Sequence, residues 1–159
     1  AIQIERNGEK TYRSAALRSP YPEVAKILNW MAEEEHRHGK WFESMPSDAK
    51  EVPGKYQEME ELGRSLLKEM VEGKTFSLDG ERLDSTKDAT EVLSQSLDFE
   101  NDTILFYDML KAFMEDQDGV AQLERIINEE RGHVKLLEKL REKLLNGADI
   151  DLKGLETLK

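Results

Sequence analysis

Cysteine is absent from all 159 residues. This excludes thiolate metal sites, iron–sulfur clusters and a rubredoxin-like module within the chain, and it suits a reducing compartment. Any metal chemistry must therefore use oxygen and nitrogen ligands. Proline and glycine are scarce, at four and ten residues, and the remainder is rich in Glu, Lys, Leu and Ala, a composition that favours helix over strand. Cationic side chains are the minority: 23 Lys and Arg against 34 Asp and Glu leave a formal net charge of -11. Phosphate backbones are bound through clustered cations that release counterions, so a nucleic-acid partner is not expected. No apolar run approaches the roughly 20 residues that span a bilayer, and no charged-then-apolar signal segment opens the chain. The expectation is a soluble, cytoplasmic protein without membrane or nucleic-acid partners.

What is present is helical periodicity. At 18.3 kDa the chain fits one domain large enough to bury a core without disulfides. A first helix is predicted from the N-terminus to about Leu17, ended by Ser19-Pro20-Tyr21-Pro22, with a second over Pro22 to Met45. The second carries Val24, Ile27, Leu28, Met31, Glu35, His38 and Phe42 at the 3/4 spacing of a buried face. A third helix is predicted from about Asp88 to Met114, on the stripe Leu93, Leu97, Glu100, Ile104, Tyr107 and Leu110. A fourth follows from about Gly119 to Leu145, on Leu123, Ile126, Ile127, Glu130, His133, Val134, Leu137, Leu140 and Leu144. The result is an all-α, four-helix bundle of two hairpins, residues 1–45 and 88–145. They are joined by a long crossover, 46–87, with an extra short helix over Tyr56 to Glu72, and followed by a tail, 146–159.

The two hairpins repeat each other. Glu5, Tyr12, Glu35 and His38 recur as Glu100, Tyr107, Glu130 and His133, each displaced by 95 positions. Both copies end in Glu-x-x-His, which sets a carboxylate and an imidazole one turn apart on one helix face. Three further identities fall at the same offset, Glu34/Glu129, Lys40/Lys135 and Glu43/Glu138, and these read as ordinary surface residues. Glu33, Glu34 and Glu129 are assigned to an exposed charged face, and His36 to the surface. Trp30, Trp41 and the six methionines are assigned to packing, with no methionine singled out as a haem ligand.

Glu35, Glu100 and Glu130 interrupt apolar stripes, so they should point inward. Burying a carboxylate costs several kcal/mol even after relaxation. Four glutamates in one core would protonate or unfold it unless cations compensate, and two divalent ions match the four negative charges while neutral His adds none. Oxygen and imidazole donors suit iron, which we favour, with manganese or zinc as substitutes. Gly8 and Thr103, each three residues after the hairpin's first Glu, are small and would leave room for an oxygen species beside the metals. Tyr12 and Tyr107, two turns beyond Glu5 and Glu100, would donate to a ligand carboxylate of the opposite hairpin and orient it. Glu5 is the weakest candidate. The third helix begins about a dozen residues before its Glu, so the start of the first is expected to be missing and its end to fray.

These residues resemble the ferritin-like superfamily and, within it, the rubrerythrin group of non-haem di-iron proteins; the paired Glu-x6-Tyr is closer to rubrerythrins than to ferritins. The resemblance implies that Glu5, Glu35, His38, Glu100, Glu130 and His133 are iron ligands, with Glu35 and Glu130 bridging, and that the centre reduces hydrogen peroxide or oxidises ferrous iron with dioxygen or peroxide in protection against oxidative stress. Two departures are visible. Without cysteine, electrons must come from an external donor such as a rubredoxin-like protein, and Thr103 stands where rubrerythrins carry an extra carboxylate. Competing readings are a ferritin- or bacterioferritin-like iron store and a helical interaction module whose metal only stabilises it. A homodimer is expected, and the long crossover would allow two chains to exchange hairpins.

Overall fold

The computed structural model describes residues 1–45, 65, 89–112 and 114–146, and among them it is all helix, without strands. Four helices follow in order: α1 (Ile2–Arg18), α2 (Pro22–Ser44), α3 (Ala89–Lys111) and α4 (Gln117–Leu145). None is long and apolar enough to cross a membrane. Residue 65 apart, the predicted crossover and its Tyr56–Glu72 helix lie outside the described residues, as does the tail beyond residue 146.

Local chemistry sets the boundaries. Ser19 precedes Pro20, whose ring disfavours helical geometry in the residue before it, and Ser19 is extended, with φ -62° and ψ 124°. The same rule acts on Met45, which precedes Pro46 in sequence and lies at φ -64° and ψ 136°. Pro22 occupies the first turn of α2, where its missing N–H is no loss. α4 starts two residues earlier than its apolar stripe indicates, because the Asp116 side chain accepts from the Gly119 backbone N–H at 2.8 Å and caps the helix.

α1 packs along α2 and α3 along α4, the two predicted hairpins. Their facing sides bury Ile4, Val24, Ile27, Leu28, Met31, Leu93, Leu123, Ile127 and Leu137 almost completely. Each such side chain contributes roughly 1.5–3 kcal/mol by leaving water. The α3 face is turned from the predicted stripe. Phe99, Thr103 and Phe106 are buried, whereas Ile104 and Leu110 are only partly so, as are Val134 and Leu144 of α4. The hairpins then meet through large side chains: Tyr12 stands edge-on to Phe99 with ring centroids 6.0 Å apart, and Phe42 lies 5.3 Å from Tyr107.

Candidate metal centre

All six proposed ligands converge in the interior. Glu5, Glu35, Glu100 and Glu130 have no solvent exposure, and His38 and His133 expose 1% and 3%. Glu5, expected near a fraying end, lies within α1, and the Tyr107 hydroxyl donates to its Oε1. The Tyr12 hydroxyl donates to Glu100 Oε1 at 2.5 Å, so each phenol crosses to the opposite hairpin as the repeat predicts.

Glu130 is the centre of the arrangement. His38 Nδ1 lies 2.8 Å from its Oε1, and His133 Nδ1 lies 2.7 Å from its Oε2. The imidazole rings are near parallel, with centroids 6.2 Å apart. Each Nδ1 also approaches a second carboxylate: Glu5 Oε2 lies 3.8 Å from His38, and Glu100 Oε2 3.6 Å from His133. Donor atoms of Glu35, Glu100, Glu130 and His133 lie within 4.8 Å of one another, as do those of Glu5, His38 and Glu130. The two groups share Glu130, as a bridging carboxylate would.

The electrostatics describe a cluster in which protons hold the place of cations. Burial, reinforced by the Glu130 charge, raises the Glu5 carboxyl, and raises Glu100 to about 8. Glu35 is raised further by burial and by Glu5, Glu130 and Glu100 around it. Burial alone would lower the histidines. Contacts with Glu129 and Glu130 outweigh it and raise His38 to about 10, and Glu130 with Glu100 does the same to His133. Burial would also raise Glu130, yet the two imidazoles overcome it and hold its carboxyl low.

The donor set fits divalent metal. Both oxygens of Glu35 and Oε2 of Glu5 and of Glu100 are buried without a hydrogen-bond partner among the described residues, and the two oxygens of Glu130 face the two imidazole Nδ1 atoms. A native interior rarely leaves so many acceptors unsatisfied in one place. Oxygen and imidazole donors without sulfur match iron, manganese or zinc.

Two positions behave differently from the sequence reading. Gly8 does not leave an open space: a Cβ there would lie 2.7 Å from Glu35 Oε2 and 3.0 Å from Phe99 Cε1, so the missing side chain is filled by the Glu35 carboxylate. Thr103 is buried, with no hydrogen-bond partner for its Oγ1 among the described residues. Glu129, assigned to the exposed charged face, is half-buried and its Oε2 meets His38 Nε2 at 2.9 Å. His36, by contrast, is exposed and meets Glu9 at 3.0 Å. Trp30 is half-buried, edge-on to His133 at 5.1 Å.

The sequence model of a family described as Rubrerythrin matches residues 1–141. No curated protein and no solved structure matches this chain.

Proposed function

This chain belongs to the rubrerythrin family, and from that premise we propose that the buried cluster is a carboxylate-bridged di-iron centre that reduces hydrogen peroxide, using electrons from a donor outside these 159 residues. The observation that carries the reading is Glu130, with one oxygen on each histidine and unpartnered carboxylate oxygens around it. Glu5, His38 and Glu130 would hold one ion, and Glu35, Glu100, Glu130 and His133 the other, so Glu35, a bridge by the resemblance, groups here with the second ion alone. When bound, two ferrous ions supply the two electrons that convert one peroxide and two protons into two waters.

The protein's own groups have separate tasks. Tyr12 and Tyr107 fix the carboxylates of Glu100 and Glu5, restricting how far those ligands can swing. Glu35, whose oxygens accept from no tyrosine or imidazole among the described residues, is the ligand left free to change its mode of contact. Thr103 Oγ1 is a buried hydroxyl one turn beyond Glu100 that would donate a hydrogen bond to an oxygen species held in the centre. The apolar residues around the cluster keep bulk water out, which strengthens each electrostatic contact inside.

Iron-loaded protein supplied with an external reductant should consume peroxide, and Glu130→Ala should lose that activity. Equal turnover by the variant would end the reading. Oxidation and storage of iron in a cage is the alternative. It requires a large hollow shell in sedimentation, whereas the present reading expects a small oligomer, a homodimer.

A further inference from the structure

The interior follows the repeat, but the layer outside the histidines does not. Glu129 Oε2 accepts from His38 Nε2 at 2.9 Å and from Arg37 Nη2 at 2.8 Å, and Arg37 also pairs with Glu34. Donor atoms of Glu34, His38 and Glu129 lie within 4.8 Å of one another, but Arg37 pairs with both carboxylates and only Glu129 meets the imidazole, so Glu129 is the anchor for His38. The second hairpin lacks the equivalent. Gly132 stands where the first hairpin has Arg37, and among the described residues the carboxylate contacts of His133 run through Nδ1 alone, while Trp30 packs edge-on against its ring.

We propose that Glu129, held in place by Arg37, is a positioning residue for the metal site built on Glu5, His38 and Glu130, and that it makes the two metal sites of the centre inequivalent. An imidazole that gives its Nε2–H to a carboxylate has its lone pair on Nδ1, and here Nδ1 faces Glu130 and the interior. The carboxylate also fixes the ring plane and makes the imidazole a better donor. Among the described residues His133 has no such support, and its site has the larger set of carboxylates. The proposal rests on the cluster binding two divalent ions.

Anaerobic titration with Co(II), followed by ligand-field absorption and calorimetry, tests it on the whole chain. Wild type should bind two ions. In Glu129→Ala the affinity of one should fall by about 10- to 100-fold while the other is unchanged, the scale expected for an outer partner of a ligand. Glu129→Gln, which keeps an acceptor for Nε2–H, should recover most of the loss, and Glu34→Ala, which removes a neighbouring charge but not the imidazole contact, should leave both affinities intact. The Co(II)-shifted imidazole N–H resonance of His38 should exchange faster with water in Glu129→Ala. Two unchanged affinities in Glu129→Ala, a parallel fall of both, or the same loss in Glu34→Ala would overturn the proposal and leave the di-metal reading standing. A wild type that binds no Co(II) would overturn both.

Discussion

The two hairpins carry the same four-residue pattern and use it differently. Tyr12 and Tyr107 make reciprocal contacts, each closing on the other hairpin's first glutamate. The two Glu-x-x-His glutamates diverge. Glu130 receives both histidines and is held ionised, whereas Glu35 receives neither and is driven toward its neutral form by burial and by its acidic neighbours. A repeat therefore specifies which side chains enter the interior. The residues that do not repeat, Gly8 opposite Thr103, Arg37 opposite Gly132 and Trp30 opposite Arg125, decide what each does there.

Removing the two unequal carboxylates in turn should produce the largest effects. Glu130→Ala should abolish binding at both metal sites, a loss above the roughly 100-fold that outer partners produce. Glu35→Ala should weaken mainly the site on His133. Equal effects in metal-titration calorimetry would contradict the assigned inequality.

A second effect is on stability. In the metal-free protein Glu100, raised from 4.5 to about 8, contributes stability that is present below 4.5 and lost as pH climbs through 8. His38, raised from 6.5 to about 10, contributes stability present below 6.5 and lost as pH climbs through 10. Glu130, held low, works in the opposite sense, and its contribution is lost only on acidification below 4.5. The metal-free Tm should thus fall between pH 7 and 10, on the order of 5 °C. Metal-loaded protein should be nearly flat over that window, because the ions replace the protons. Glu35→Gln should soften the metal-free fall, since the neutral amide cannot ionise. Calorimetric scans at several pH values compare all three.

Glycines offer a third contrast. Gly8→Ala gains helix propensity but places a Cβ 2.7 Å from Glu35 Oε2, so Glu35 must turn and affinity at the His133 site should fall several-fold. Gly132→Ala, with nothing within 4 Å of the new Cβ, should stabilise by about 0.5–1 kcal/mol in thermal unfolding without changing metal affinity. The smallest effects belong to the symmetric pair. Tyr12→Phe and Tyr107→Phe should each cost roughly 0.5–1.5 kcal/mol in denaturant unfolding, and by similar amounts. A large difference between them would show that the reciprocity is only geometric.

The helices and the six ligands were legible because a buried carboxylate on an apolar stripe is conspicuous, and because proline marks both ends of α2. Three features were not legible. The Asp116 cap depends on a backbone N–H three residues on, which periodicity does not register. Gly8 reads as free space in a sequence, and only the position of Glu35 across the hairpin makes it a filled one. Glu129 looks like any surface glutamate beside a ligand, because its partner His38 belongs to another helix. Each depends on what stands opposite, and a single helix face does not encode that.

If burial and the crowded carboxylates keep Glu100 and the two histidines protonated, metal must displace those protons on binding. Anaerobic titration of Fe(II) into weakly buffered protein near pH 7, with bound iron and released protons counted together, tests it most directly. Two irons per chain, with more than one proton released for each, is the predicted result. Iron bound at fewer than one per chain, or bound without proton release, would contradict it.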